Sequence, residues 1–255
     1  MKYNGIDPTK LHRGISIAKE IPPGTIDSQL ETLKGSSGET IAGRTPKSSE
    51  YIVRVNISGV TRAEAWDIRA ILAEWACPLD EVTHELIPSH WPRRAYDAIF
   101  KEISPPEFVL GKATVDVIFT VTRAVAHDIA KRQSKKADTD GTGVKLGVNV
   151  LGTSYIHPTI TIKTKALQRV EVSVGSEVCF AVNYDFAEGD VLQVQTDVSA
   201  VKISHAGGEM LPADRYVDYI VTDLDEMCKH LMPGLRTIQS AQAQEITAVW
   251  RDEYL

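Results

Sequence analysis

The pattern that most constrains this chain is period-two alternation, repeated in short segments from end to end. Tyr51 to Ser58 (YIVRVNIS) places Tyr51, Val53, Val55 and Ile57 on one face and Arg54, Asn56 and Ser58 on the other. Lys112 to Arg123 repeats the pattern, with Ala113, Val115, Val117, Phe119 and Val121 facing Thr114, Asp116, Thr120 and Thr122, broken only at Ile118. Val82 to Ile87 and Arg94 to Ile103 are further strands, and Tyr3 to Pro8 is a short strand running into turn residues before the alternating Ile15 and Ile17. A helical period stands out against them. Thr61-Arg62-Ala63-Glu64 is a capping box, Ala65, Ile68, Leu72 and Trp75 form one apolar stripe at spacings of three and four, and Pro78 ends the helix.

The second half is a succession of short strands: Thr159 to Lys163, Arg169 to Val174, Glu177 to Tyr184, Val191 to Thr196, Ala200 to Ser204 and Glu245 to Tyr254. Turns at Glu188-Gly189-Asp190 and His205 to Glu209 separate some of them. Asp223 to Leu231 is a short helical competitor ending at Pro233-Gly234. The resulting fold class is mainly β in two domains: a β-sandwich with one long helix over residues 1–130, and a second β-sandwich over 148–255. The polar run KRQSKKADTDGTGVKLG at 131–147 reads as a linker between them. A length of 255 residues fits two domains. Residues 33–50, rich in Gly, Ser and Thr, read either as a flexible loop or as an extended arm that needs a partner, with Ile41 as its apolar anchor.

Charge narrows the function. Residues 1–140 hold 19 Lys and Arg against 19 Asp and Glu, whereas 141–255 hold 9 against 15, so the whole net charge of −6 lies in the second half. With no basic stripe to neutralise phosphates, sequence-specific nucleic-acid binding is not expected. Neither a membrane span nor a signal peptide is legible, and Cys77, Cys179 and Cys228 form no close pair, which suits a reducing cytoplasm.

The search for chemistry yields candidates with stronger structural explanations. Gly35-Ser36-Ser37-Gly38 lacks the spacing of a hydrolase elbow, and Gly141-Thr142-Gly143 lacks the third glycine of a dinucleotide turn. His84, His90 and the three cysteines lack the local pairs of a zinc site, so neither metal nor cofactor is expected. Asp185, Glu188 and Asp190, or Asp218, Asp223, Asp225 and Glu226, are the candidate carboxylate pairs for a glycosidase. Such groups are mostly solvated loop charges, and an enzyme is not expected. Trp75 and Trp250 fall on apolar faces and read as packing, leaving Trp66 and Trp91 less constrained. Lys131, Arg132, Lys135 and Lys136 read equally as solvated linker charges or as contacts to an anionic partner.

The order of these segments carries a resemblance. Y-N-G-I-D at 3–7, the Gly-rich arm, YIVRVNISG at 51–59 leading into TRAEAWDIRAILAEW at 61–75, and WPRRAYDA at 91–98 resemble the siphophage distal tail protein family. So do GTSYIHPTIT at 152–161, EGDVLQV at 188–194, GGEML at 207–211, LMPGLRTI at 231–238 and the closing WRDEYL. The resemblance implies a structural component of a phage or prophage tail tip, made in the bacterial host cytoplasm. Its N-terminal sandwich would assemble as a hexameric ring and its C-terminal sandwich would be galectin-like. The implied partners are other copies of the chain, a tail tube protein and tail-tip proteins of host recognition. Gly38, Ile41, Arg44 and Tyr51 are the expected oligomer-interface residues. A lectin-like module contacting host glycans is the alternative.

Overall fold

In the computed structural model the described residues are 1–23, 26–32, 39–46, 48–80, 82–109, 111–123, 125–196, 200–205, 207–213, 220–222 and 231–254, with the backbone alone described at 26–32, 39–46 and 220–222. The chain divides into two compact units, 1–129 and 130–254.

The N-terminal unit contains β1 (Lys2–Tyr3), β2 (Ile15–Ile21), β3 (Ile26–Thr32), β4 (Glu39–Pro46), β5 (Ser49–Ser58), α1 (Arg62–Ala76), β6 (His84–Ile87), β7 (Arg94–Ile103), β8 (Glu107–Val109), β9 (Lys112–Val121) and β10 (Ala126–Asp128). Its sheet runs β1-β6-β7-β9-β5-β2, with β8 branching onto β9 and β10 onto β7. The central pair, β5 and β9, aligns Tyr51 with Phe119, Val53 with Val117, Val55 with Val115 and Ile57 with Ala113, and all eight side chains are buried. Alternation therefore works on both strands in one register, which a slip of one residue would invert.

Helix α1 begins as the capping box dictates. The Thr61 hydroxyl accepts from the Glu64 N–H, and Glu64 accepts from the Thr61 N–H at 2.6 Å. Ala65, Ile68, Leu72 and Trp75 are buried in the same core as β5 and β9. Trp75 meets the rings of Tyr3 and Phe119 at 6.0 Å, and its indole N–H donates to the Ile6 carbonyl. Ile6 is held there by a tight turn. Asn4 and Gly5 both have positive φ, and Tyr3 and Ile6 exchange backbone hydrogen bonds across it.

A buried carboxylate fixes β2. Glu20 accepts from the Tyr51 hydroxyl (2.8 Å) and from the Ser89 N–H (3.0 Å), with His90 3.6 Å away. Burial alone would raise the Glu20 carboxyl, but the Ser89 and Tyr51 hydrogen bonds outweigh it and hold it below the ordinary carboxylate value.

The C-terminal unit contains β11 (Arg132–Ala137), β12 (Val144–Val150), β13 (Thr159–Thr164), β14 (Leu167–Val174), β15 (Glu177–Phe186), β16 (Val191–Gln195), β17 (Ala200–Ser204), β18 (Leu211–Pro212), β19 (Ile220–Thr222), β20 (Gly234–Ser240), β21 (Ala243–Trp250) and β22 (Glu253–Tyr254). Two antiparallel sheets, β11-β21-β13-β16-β17-β18 and β12-β20-β14-β15-β19, bury one core between them. Ile160, Ile162, Leu192 and Ile246 of the first sheet share that core with Leu146, Val148, Val172 and Ile238 of the second.

Two expectations need correction. The segment 131–147 is not a linker: β11 pairs along its whole length with β21, and β12 pairs with β20, burying Val144, Leu146, Val148 and Val150. β11 is an edge strand whose side chains are mostly exposed, and its polarity is what an edge needs to avoid further pairing. The long closing strand is interrupted at Arg251 and Asp252. The arm at 33–50 includes β4, which pairs with β3 as a two-stranded ribbon separate from the other sheets. The helical competitor at 223–231 lies outside the described residues except for Leu231, which forms an isolated bridge with Ile156.

Two outcomes are expected. A fragment starting at Ala130 unfolds cooperatively in urea, whereas one starting at Val148 has lost β11 and half of β12 and gives no cooperative transition by circular dichroism. Glu20→Gln costs about 1–3 kcal/mol in the same assay by weakening the acceptor of the buried Tyr51 hydroxyl and of the Ser89 N–H. Because the folded carboxyl lies below its unfolded value of about 4.3, its contribution is present above that pH and is lost as pH falls through the folded value; the variant flattens the acid limb of the stability curve.

Candidate interaction surfaces

Of the expected interface residues, Tyr51 is the one whose side chain is described. Gly38 lies outside the described residues. Ile41 and Arg44 stand on β4, opposite Leu30 and Ser28 of β3. Tyr51 is fully buried in the N-terminal core, its ring 5.7 Å from that of Tyr96 and its hydroxyl on Glu20. Burial and that bond to a carboxylate push its phenol far above the ordinary value. No surface of Tyr51 is left open to a neighbouring chain.

The structure exposes a different apolar surface. Arg62, Trp66 and Arg69 occupy positions i, i+4 and i+7 of α1 and share one flank of the helix. Arg69 donates to the Ile103 and Ser104 carbonyls at 2.8 and 2.9 Å, which pins this flank beside the end of β7. Its guanidinium also lies 5.7 Å from the Trp66 ring, and that of Arg62 lies 4.9 Å from Phe108 of β8. Trp66 is 48% exposed and Val109, beside Phe108, 65%. Exposed tryptophan beside arginine is the composition of protein contact surfaces. The spacing R-x-x-x-W-x-x-R is the available sequence signal.

The chemical candidates separate. His84 pairs with Asp80 at 2.9 Å, His127 with Asp97 at 3.2 Å, and Cys179 is buried while Cys77 is exposed. Among the described residues no three His, Cys, Asp or Glu side chains converge as a metal-holding set. No helix among them is long and apolar enough to cross a membrane. Asp190, one of the carboxylates weighed for acid-base work, is buried and structural: it accepts from the Ala187 N–H (2.9 Å) and contacts His205 Nδ1 (3.1 Å), whose Nε2 meets the Tyr184 hydroxyl at 2.9 Å. Glu188 accepts from Gln244. Asp185 is exposed, and Asp218, Asp223, Asp225 and Glu226 lie outside the described residues. Trp75 and Trp250 are buried, and Trp66 and Trp91 are exposed.

Short motifs scattered through the C-terminal half turn out to meet. Gly152 approaches the Glu253 backbone so closely that a Cβ would sit 2.1 Å from its carbonyl oxygen, and the Thr153 and Ser154 N–H groups donate to that oxygen. Asp252 accepts from the Leu151 N–H, the Trp250 indole N–H and Arg132. Thus GTSY and WRDEY form one corner of the sandwich. EGD and the segment beginning at His205 form another through Asp190.

Against known proteins, no family model matches the chain, and no curated protein matches it in sequence. Among solved structures, the SPP1 Dit (gp 19.1) protein aligns over 99% of this chain and 98% of its own, with a TM-score of 0.71 at 16% identity. The fold is that of SPP1 Dit. That protein is described as a paradigm of the hub adsorption apparatus in Gram-positive infecting phages. A chain of the phage P2 baseplate in its activated conformation with Ca aligns over 94% of this chain and 91% of its own, with a TM-score of 0.49 at 8% identity. The likeness to SPP1 Dit spans both units, so the two-part, mainly β architecture is a property of the whole chain.

Removing the corner carboxylate tests its weight. Asp252→Ala leaves the Leu151 N–H, the Trp250 indole and Arg132 without their acceptor, and is expected to lower the unfolding free energy of the 130–255 fragment by about 2–3 kcal/mol in urea titration.

Proposed function

We propose that the chain is a structural hub of a siphophage-type tail tip, a ring-forming distal tail component that connects the tail tube to the proteins of host adsorption. The observation that carries this reading is the alignment with SPP1 Dit across nearly the full length of both chains. On this reading the protein is made in the host cytoplasm, resides in the virion tail, and performs no catalysis. The ring is six-membered, as the sequence resemblance implies.

Two features of the N-terminal unit suit assembly. Among the described residues the β3–β4 ribbon pairs with no other sheet, and an isolated two-stranded ribbon is marginal in water. A neighbouring copy is the partner that would order it, through contacts that include the positions of Ile41 and Arg44. The Arg62, Trp66 and Phe108 surface supplies a second contact with its cations already stacked on its rings. Head-to-tail contacts between two different surfaces close into rings when the rotation permits. The lectin-like alternative lacks a comparable support, since the single tryptophan of the C-terminal unit, Trp250, is in the core.

Native mass spectrometry of the purified chain is expected to give a closed oligomer. Replacing residues 36–48 by a short Gly/Ser linker, or combining Trp66→Ser with Phe108→Ser, shifts that population toward monomer by at least about tenfold while each variant still unfolds cooperatively in urea, as loss of contact residues predicts. A strict monomer at every concentration would overturn the ring. Full-sized oligomers from either variant would remove that surface from the interface.

A further inference from the structure

A polar groove of about 560 Å³ opens in the C-terminal unit, where the β11–β12 and β20–β21 turns meet β14. Its size is that of small-ligand sites. Independently of the hub reading, we propose that this groove binds a polyol phosphate, with Lys136 and Lys145 holding the phosphate and the amides and hydroxyls of the walls holding the polyol.

The rim is built rather than loose. Asp138 accepts from the backbone N–H groups of Asp140, Gly141 and Gly143 at 2.9–3.3 Å and from the Lys165 ammonium at 2.7 Å. The Lys165 bond, outweighing the effect of burial, and then these N–H groups lower its carboxyl to about 2. Gly143 packs so tightly on the opposite turn that a Cβ would lie 2.5 Å from the Ser240 carbonyl oxygen and from the Ala241 Cα. On the other wall, Gln242 Oε1 accepts from the Ser240 hydroxyl (3.2 Å) and the Glu171 N–H (3.4 Å), and Gln239 donates to the Gly175 carbonyl (2.7 Å). A groove whose walls are fixed in this way spends little on ordering when a ligand enters.

The charges select the ligand. Of the basic residues at the start of this unit, Arg132 is taken by Asp252 and Lys135 by Glu245. Lys136 and Lys145 have no carboxylate partner among the described residues, although the second half of the chain is acidic as a whole. The two carboxylates on the groove are engaged locally, Asp140 by Thr142 and Glu171 by Arg169. The Thr142 hydroxyl leaves the charge of Asp140 in place, so an anionic ligand meets two ammonium groups against one carboxylate without a cationic partner among the described residues. Both cations are lysines, compact point charges that suit a phosphate; a planar carboxylate would be matched better by an arginine fork, and no arginine lines the groove among the described residues. Ligand hydroxyls find acceptors at Asp140, Glu171 and the glutamine amides. Among the described residues no aromatic ring lines the walls to give a neutral sugar a stacking platform.

The test is ligand-observed saturation-transfer NMR with isothermal calorimetry on the full chain, using sn-glycerol 3-phosphate, an oligomer of poly(glycerol phosphate), and glycerol. Both phosphates bind saturably and glycerol does not. Tighter binding of the oligomer identifies a polymer as the natural source, and equal binding identifies a free small molecule. The Lys136→Gln, Lys145→Gln double variant weakens binding about tenfold or more, in keeping with loss of charge-assisted bonds, while Lys202→Gln on β17 leaves it unchanged. Ser173→Trp, which fills the groove from the other wall, abolishes it. The proposal is overturned if neither phosphate binds saturably, if glycerol binds as well as its phosphate, or if the double variant binds like the parent chain.

Discussion

The N-terminal unit depends on one register. Two ten-residue strands, β5 and β9, lie antiparallel so that the four buried residues Tyr51, Val53, Val55 and Ile57 each face a buried residue on the other strand, and α1 adds its apolar stripe to the same core. Every other contact inherits that alignment. Tyr51 comes within reach of Glu20, Phe119 comes under Tyr3 and Trp75, and on the exposed face Arg54 meets Asp116 in a two-point ion pair at 2.8 Å. Shifting the pair by one residue would bury that ion pair's positions and expose the aromatic cluster, a penalty no local contact offsets.

This part is legible because burial writes itself into sequence as period two or period 3.6. Tyr51 to Ser58 and Lys112 to Val121 announce their inward faces, and Thr61 and Glu64 announce the helix start with two side chains that satisfy backbone donors. Polar strands are harder. Lys131 to Gly147 resembles a connection because β11 is an exposed edge, where lysines are favoured for the same solvation that favours them in linkers. The alternation of Val144, Leu146, Val148 and Val150 is present, but the glycines and aspartates of the intervening turn mask it. Tyr51 illustrates a related limit, since an aromatic residue on an alternating face marks a core as readily as an interface.

The candidate surfaces are only partly visible in the sequence. Trp66 stands out as a tryptophan off the apolar stripe, yet nothing local indicates that Phe108, over forty positions away in sequence, completes the surface through Arg62. The groove is less visible still, because its walls come from three separated stretches and its chemistry depends on which cations are already paired. Reading 131–147 as a linker makes its five basic residues equivalent; the fold distinguishes them by giving Arg132 and Lys135 partners and leaving Lys136 and Lys145 on the groove. Conversely, short motifs such as GTSY and WRDEY look functional when isolated and prove to be the joints that close a sandwich corner.

The same corner has a consequence for how the chain can change over time. Arg132, three positions into the C-terminal unit, stands in register opposite Trp250, close to the unit's end. Paired residues in antiparallel strands are only about 5 Å apart. The first strand of this sandwich therefore begins beside the end of its last long strand. A module whose two ends adjoin can be exchanged, enlarged or duplicated by a crossover at that point.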